Sequence, residues 1–227
     1  MTKVFTFWEG KMPDYIQLCM KTWRFPYIML NYDNLHEYTD LDINLLKRFT
    51  LPQIADVVRA HVLRDHGGYW LDADTIMLTD KLPDCTIMGD PQTRANTIGY
   101  LYAASPHLFM FQQWAKYQAG VLADPDASHH WSVMGNMFTD KYVKEHTSVT
   151  IGDVRNRWPE TRIVGDMPRQ EKYHLFYFDR RYRLSYLPQT DMLMLHNSWT
   201  PDWYKKFSPD KVLSWNCTLS NILRELL

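Results

Sequence analysis

The chain has 227 residues, of which 45% are hydrophobic and 22% charged, a composition typical of a globular protein with enough apolar mass for a core. Its formal net charge of -1 excludes a general electrostatic attraction to nucleic acid or to anionic lipid. We therefore expect a single globular domain and no nucleic-acid partner.

The cysteines and the apolar runs indicate where the protein works. Three widely spaced cysteines form no disulfide framework and no metal-ligand cluster, which favours a reducing compartment. The apolar run at 4–8 is too short for a signal peptide, and no run approaches the about 20 residues that span a bilayer. We expect a cytoplasmic protein that is free to touch a membrane surface.

The first half of the chain alternates between strand and helix patterns. The pattern predicts a strand at 4–8, a helix at 13–23 with a proline in its first turn, and a strand at 27–30. A second helix is predicted at 50–66, capped by Thr50 and ended by Gly67, followed by a strand at 69–71. This alternation predicts an α/β fold with parallel strands.

The second half is less regular. The pattern predicts a short apolar segment at 75–78, a strand at 85–89, a helix at 105–120, a strand at 192–195 and a final helix from 208 to 226. Residues 121–165 give no clear pattern, and residues 164–191 are aromatic and basic.

Two carboxylates, Asp72 and Asp74, follow the strand at 69–71. Ligands of open α/β sheets bind at the carboxyl ends of strands, and carboxylates buried there need a cation or donors to compensate them. Carboxylate oxygens suit Mn²⁺ or Mg²⁺, which also take substrate phosphates as ligands. The pair therefore predicts a metal–phosphate site, although the same triplet by itself is equally typical of a solvated turn.

The string at 71–76 also resembles the nucleophile motif of haloacid-dehalogenase-type phosphatases, in which the first aspartate attacks phosphorus. That family requires a later Gly-Asp pair with a further aspartate four residues on. The three Gly-Asp pairs of this chain have Arg94, Arg157 and Gln170 at that position. We therefore retain the phosphatase as the less favoured alternative.

Residues 54–78, IADVVRAHVLRDHGGYWLDADTIML, resemble the signature of glycosyltransferase family 32 and related capsular polysaccharide synthesis proteins. They are also similar to the sugar-transferring domain of the large clostridial toxins. Residues 7–10 and 19–23 resemble the family's first strand and helix. The stretch at 196–199, His-Asn-Ser-Trp, resembles its C-terminal metal and diphosphate motif.

The resemblance implies a GT-A fold, an α/β architecture with a mixed, mostly parallel sheet flanked by helices. It implies one domain over 1–227, with a nucleotide-binding half at roughly 1–90, an acceptor half at 91–190, and the metal and diphosphate motif with a helix at 191–227. It also implies a retaining hexosyltransferase that uses Mn²⁺ or Mg²⁺, a UDP-sugar donor and a glycan acceptor. The acceptor is either a free glycan or a glycan linked to a lipid. Such an enzyme would build bacterial capsular or surface polysaccharide at the cytoplasmic face of the inner membrane, with peripheral membrane contact.

The resemblance also assigns roles to the central signature. Asp74 would bind the metal directly, and Asp72 would hold the ribose, a water or the edge of the metal. Asp56 would accept hydrogen bonds from sugar hydroxyls, and Arg59 would place a cation near the sugar or phosphates. Without the resemblance, Asp56 and Arg59 are read as an ion pair on one helix face.

The remaining nucleotide-sugar contacts are expected at the two ends of the chain. Trp8 is expected to stack on uracil, and Trp70, on the same side of its strand as Asp72, to flank the base or metal; core packing is the alternative for both. His196 is expected to bind the metal or the phosphate, with a structural histidine as the alternative. The donors expected for the diphosphate are Ser198 and Trp199.

A few weaker candidates complete this list. Asp90, Asn96 and Gly135 are candidate contacts of the donor sugar, with a loop role as the favoured alternative for each. His129 and His130 are interpreted as loop residues near the acceptor. Residues 180–186 are a candidate membrane contact, with a solvated or core-lining strand as the favoured alternative. A non-catalytic sugar-nucleotide- or glycan-binding module is the alternative from another class of function. The intact acidic and basic residues of the central signature argue against that alternative.

Overall fold

The computed structural model describes residues 3–127, 130–181 and 189–227. In chain order the strands are β1 (Val4–Phe7), β2 (Ile28–Leu30), β3 (Gly68–Leu71), β4 (Thr75–Met77), β5 (Ile87–Gly89), β6 (Asn96–Ala103), β7 (Ile151–Asp153) and β8 (Met192–Met194). The α-helices are α1 (Asp14–Lys21), α2 (Ile43–Leu46), α3 (Leu51–His66), α4 (Phe109–Ala123), α5 (Asn136–Glu145), α6 (Arg169–Phe178), α7 (Asp202–Lys205), α8 (Pro209–Ser214) and α9 (Thr218–Leu226). Short 3-10 helices occupy Leu35–Glu37 and Pro159–Arg162.

The chain divides into two compact units that interleave along the sequence. Unit 1 comprises Met1–Gly10, Pro26–Asp72 and Asp84–Asp153, and unit 2 comprises Lys11–Phe25, Ala73–Pro83 and Val154–Leu227. The division into a nucleotide-binding part at 1–90, an acceptor part at 91–190 and a C-terminal metal and diphosphate motif at 191–227 stays a prediction.

Unit 1 is built on a six-stranded sheet in the order β2-β1-β3-β6-β5-β7. The pairings β1 with β2, β1 with β3 and β5 with β7 are parallel, whereas β6 runs antiparallel to both β3 and β5. Helix α3 packs on α4 and on strands β1, β3 and β6. The prediction of a mixed, mostly parallel sheet flanked by helices is thus confirmed, and the architecture is consistent with a GT-A-like fold.

Helix α3 positions the central signature. The backbone N–H of Thr50 donates to the Gln53 side chain at 3.1 Å, one half of a capping box, so the predicted start is confirmed. Gly67 ends the helix with φ +64°, and Gly68 follows with φ +89°. A Cβ on Gly68 would collide with the Lys3 carbonyl, which accepts from the Tyr69 N–H at 2.9 Å. The double glycine therefore lets β3 pair closely with the chain at β1.

Unit 2 has a two-stranded antiparallel sheet, β4 with β8, in which Ile76 pairs with Leu193. Helix α1 packs on β4 and α8, and α6 packs on α9. The indole N–H of Trp23 donates to the Thr75 carbonyl at 2.8 Å. Aromatic residues fill the core, among them the fully buried tyrosines Tyr15, Tyr173, Tyr177 and Tyr204.

Two predicted helices differ from the structure. The helix expected at 105–120 begins at Phe109 because Pro106 lies in a turn, where His107 takes φ +60° and donates its N–H to the Arg64 carbonyl at 2.6 Å. The helix expected at 208–226 is two helices, α8 and α9, separated at residues 215–217. Its predicted start is confirmed, since the Ser208 side chain accepts from the Lys211 N–H.

The patterns also missed several elements of the described chain: strands β6 and β7, helices α2, α5, α6 and α7, and the 3-10 helices at Leu35–Glu37 and Pro159–Arg162. None of the helices in residues 3–127, 130–181 and 189–227 is long and apolar enough to cross a membrane.

Candidate functional site

Asp72 lies immediately after the carboxyl end of β3, as the sequence predicted. Its N–H donates to the Gly99 carbonyl of β6 at 2.9 Å, which fixes the backbone beyond the strand end. The indole N–H of Trp70 donates to Asp72 Oδ1 at 2.8 Å. The expected shared side of Trp70 and Asp72 is confirmed, and Trp70 is itself only 1% exposed.

Arg59 is the centre of the unit 1 site. One terminal nitrogen lies 3.2 Å from Asp56 Oδ1 and 3.1 Å from Asp72 Oδ1, and the other donates to the Ile98 carbonyl. Nε donates to the Ala55 carbonyl at 3.2 Å, and the guanidinium lies over the Trp70 ring at 4.9 Å. Arg59 is 4% exposed, so it acts as an internal support that links the helix to the acidic strand end.

The ion pair of Asp56 and Arg59 is therefore more than a helix-face pair. Burial raises the pKa of Asp56 to about 7, an effect that Arg59 opposes and the nearby charge of Asp72 reinforces. A carboxyl that is 9% exposed and shares its cation with a second carboxyl is poised to gain or lose a proton near neutral pH.

Asp72 presents one oxygen outward. Oδ1 accepts from the Trp70 indole N–H and is ion-paired with Arg59, but no described residue donates to Oδ2, and the side chain is 36% exposed. A carboxylate whose orientation is fixed through one oxygen leaves the other available to a ligand.

Gly135 lies against this group of residues. A Cβ at Gly135 would collide with Asp56 Oδ2 and with the Ile98 side chain. Its segment is anchored because the Met134 carbonyl accepts from Trp114 at 2.8 Å and from Gln118 at 2.7 Å. Glycine here thus makes room for Asp56 itself. A close approach of this segment to the donor sugar stays a prediction.

Asp74 belongs to unit 2, where it is tied to the segment at 196–199. Its Oδ2 accepts the Asn197 N–H at 2.7 Å, and its carbonyl accepts the Leu195 N–H at 3.2 Å. The Asn197 side chain in turn accepts from the Tyr15 hydroxyl at 2.5 Å. Burial, with the charge of Asp74 next, raises the pKa of Tyr15. Asn197 and Tyr15 were missed as site residues, although Asn197 stands inside the quoted motif.

His196 is paired with Arg169, a residue that no motif in the sequence singles out. The Arg169 guanidinium lies 2.8 Å from His196 Nε2. Arginine only donates, so Nε2 is the acceptor and a neutral ring carries its proton on Nδ1. Burial, followed by the charge of Arg169, lowers the pKa of His196 to about 3. His196 is therefore neutral at physiological pH.

Arg169 is held by an acid and two indole rings. It contacts Glu160 Oε1 at 3.1 Å, and its guanidinium lies 3.6 Å from the Trp158 ring centroid and 5.4 Å from that of Trp199. Glu160 is fully buried, and burial raises its pKa against the opposing effect of Arg169. The Trp199 ring lies 4.1 Å from that of His196, while Ser198 is exposed.

Two other candidates, Asn96 and Asp90, have local partners. The Asn96 side chain donates to Asp140 at 2.8 Å and accepts from Thr139 at 2.9 Å, which ties β6 to α5. Asp90 accepts from the Gln92 N–H at 2.8 Å within a turn. Trp8 is half-buried, and its indole nitrogen has no partner among the described residues. Stacking of Trp8 on uracil stays a prediction. His129 and residues 182–186 of the candidate membrane contact lie outside the described residues.

The oxygen ligands suit the predicted metal better than the histidine does. Among the described residues, no group of three or more His, Cys, Asp and Glu is placed to hold a metal ion. Mn²⁺ and Mg²⁺ sites, however, commonly use one or two carboxylates together with substrate phosphates and waters. Asp72 and Asp74 offer such oxygens, whereas Nε2 of His196 would have to leave Arg169 first.

The sheet and its acidic strand end define this protein as an α/β protein of GT-A-like fold. Residues 1–150, more than half of the chain, match the family described as capsular polysaccharide synthesis protein, and the chain belongs to that family. A search of curated proteins found no match. Membership points to capsular polysaccharide biosynthesis, to an enzyme of glycosyltransferase type, and to a sugar donor and a glycan acceptor as partners.

Proposed function

We propose that the protein is a metal-dependent, retaining glycosyltransferase of the family 32 type that moves a hexose from a UDP-sugar to a glycan acceptor. The supporting observation is the buried Arg59, which orients Asp72 through one carboxylate oxygen and leaves the other without a partner in the described part of the chain. A carboxylate held in this way keeps one oxygen as an acceptor for a metal ion or a ligand hydroxyl.

Asp72 and Asp74, one residue apart in the sequence, would hold Mn²⁺ or Mg²⁺. The bound metal would neutralise the charge of the donor diphosphate and stabilise UDP as the leaving group. In the same proposal Asp72 also faces the ribose or a metal-bound water, Trp70 supports the base or metal, and Trp8 stacks on the uracil.

The segment at 196–199 would contribute donors to the diphosphate. Ser198 is exposed, and the indole N–H of Trp199 is a second donor. Arg169, whose side chain is 34% exposed, adds the cation that this motif lacks in the sequence. His196 would serve as a metal ligand through a ring nitrogen, or as a positioning residue for Arg169.

The reaction we propose is a front-face displacement. The bond between the anomeric carbon and the diphosphate oxygen breaks, the acceptor hydroxyl oxygen bonds to that carbon, and the hydroxyl proton passes to the leaving phosphate. Asp56 would accept hydrogen bonds from the sugar hydroxyls, and Arg59 would place a cation near the phosphates of the donor. A covalent glycosyl-enzyme detected by mass spectrometry would replace this step with a double displacement.

The test is release of UDP from UDP-glucose, UDP-galactose and their N-acetylated forms. We expect turnover that EDTA abolishes and Mn²⁺ restores. Asp74→Asn should lower the rate by about 100-fold or more, because it removes the charge while keeping an oxygen for the Asn197 N–H. Asp80→Asn is the matched control, since that carboxylate is 64% exposed in a loose pair with Arg24.

Two results would contradict the proposal. Equal UDP release with EDTA and with Mn²⁺ would remove the metal. Hydrolysis of a phosphate monoester instead of a UDP-sugar would restore the phosphatase alternative.

We propose that the enzyme acts in the cytoplasm, at the inner face of the bacterial membrane. Its glycan acceptor there would be free or attached to a lipid.

A further inference from the structure

Unit 2 contains a cleft of about 410 Å³ between one face of α6 and the start of α7. Glu171, His174 and Phe178 line it from α6, and Trp203 lines it from α7. We call it the Trp203 cleft. Its volume falls within the range of small-ligand sites.

An exposed aromatic surface forms one wall. Trp203 is 43% exposed although it is one of the largest apolar side chains. Its ring is held by Phe207 at 5.4 Å and Trp215 at 5.8 Å between centroids, and the Phe178 ring meets it edge-on at 6.1 Å. A tryptophan that is fixed in place and still exposed marks a binding surface more often than a packing defect.

The polar groups of the cleft are hydrogen-bond acceptors. No described residue pairs with the exposed carboxylate of Glu171. His174 Nε2 lies 2.5 Å from the Trp199 carbonyl and must carry the proton of that bond, so Nδ1 is the ring nitrogen that is left for a ligand. Hydroxyl groups of a ligand are the natural donors to both.

The charge of the cleft selects against anions. Its described lining contains Glu171 and Asp179 but neither lysine nor arginine. Asp179 already accepts from the guanidinium of Arg181 at 2.7 Å, so Glu171 is the uncompensated charge. A phosphate or a uronic acid would be repelled there, whereas a neutral polyhydroxylated ring would not.

We propose that the Trp203 cleft binds a neutral sugar ring of the glycan acceptor. The apolar C–H face of the ring would lie on Trp203, whose π-face is negative, and its hydroxyls would donate to Glu171 and His174. The identification of the bound sugar as part of the acceptor rests on the proposed function. Helix α6 also connects the cleft to the segment at 196–199. Arg169 of this helix contacts His196, and His174 of the same helix contacts the Trp199 carbonyl.

The test measures binding without any donor or metal. Neutral oligosaccharides of glucose, galactose and their N-acetylated forms, and matched uronic-acid oligosaccharides, are titrated by calorimetry. We expect a neutral oligosaccharide to bind and the acidic set not to bind. Trp203→Ala should weaken binding by about tenfold or more, since tenfold corresponds to only about 1.4 kcal/mol. Phe109→Ala, which removes a 56% exposed aromatic from α4, should leave it unchanged.

Glu171→Lys keeps the inference testable if Trp203→Ala folds poorly, because Glu171 lies on the surface of α6. The new cation should shift binding from neutral toward uronic-acid oligosaccharides, whereas Glu145→Lys on α5 should not. Undiminished neutral binding in both cleft variants, or binding of lipid vesicles in place of any oligosaccharide, would overturn the inference. Glycan binding without UDP release in the parent chain would contradict only the proposed function.

Discussion

Replacing Arg59 should destabilise the protein strongly and in a pH-dependent way. Arg59→Met keeps much of the apolar stem but removes every donor of the guanidinium. Asp56, which is 9% exposed, then loses its partner at 3.2 Å. Because a pKa of about 7 lets Asp56 take up a proton instead of staying charged, its lost pairing costs about 1–2 kcal/mol at pH 8. The Ile98 carbonyl, which loses its hydrogen bond from the guanidinium, adds about 1–3 kcal/mol. Asp72 adds little to this cost, because its side chain is 36% exposed and keeps the bond from Trp70.

The pH dependence follows from Asp56. Its folded-state pKa of about 7 lies above the ordinary value, so the stability it contributes is present at low pH and is lost as the pH rises from about 4 through about 7. Without Arg59 its pKa rises further, because the guanidinium is the group that opposes the effect of burial. The cost of Arg59→Met should therefore be larger at pH 8 than at pH 5.

Urea unfolding at pH 5 and pH 8 measures both effects. The double variant Asp56→Asn with Arg59→Met should recover at least about 1 kcal/mol at pH 8, because it leaves no unpaired buried charge. Arg24→Met, which removes an exposed pair at 3.8 Å, should cost less than about 1 kcal/mol. A cost below about 1 kcal/mol for Arg59→Met, or an equal cost at both pH values, would refute the assignment of Arg59 as a buried support.

Two further predictions concern unit 1. Gly135→Ala should lower the free energy of unfolding in urea by about 1–3 kcal/mol, because the new Cβ meets Asp56 and Ile98. As the control, the Cβ of Gly120→Ala in α4 meets nothing within 4 Å, and this variant should be more stable by up to about 1 kcal/mol. Equal effects of the two substitutions would contradict the close packing of Gly135. Burial lowers the pKa of His61 to about 4, so the free energy of unfolding should fall by up to about 3 kcal/mol as the pH drops from about 6.5 to about 4. His61→Phe should flatten that part of the stability profile, and an unchanged profile would show that His61 is not buried as a neutral ring.

Local patterns predicted the elements whose signals are complete within a few residues. The capping of α3 by Thr50, its end at Gly67 and the strand before Asp72 follow from rules on neighbouring residues. The final helix was not predicted correctly, because apolar spacing continues across the break at residues 215–217. Periodicity reports which face is apolar, and two successive helices can share that face.

The candidate site likewise combines features that neighbouring residues predict with features that depend on tertiary packing. The sequence by itself determined that Asp72 follows a strand end, that Trp70 shares its side, and that Asp56 and Arg59 share a helix face. Only the tertiary structure decided that Arg59 is buried beneath two carboxylates, and that Arg169 reaches His196 with Glu160 behind it. Asp72 does not lie on the helix that carries Arg59, and His196 does not lie on the helix that carries Arg169, so no local rule encodes which side chain from another element will pair with each arginine. The pairing depends on tertiary packing, because a charge that is removed from water is stable only where another element brings an opposite charge or a hydrogen-bond partner next to it.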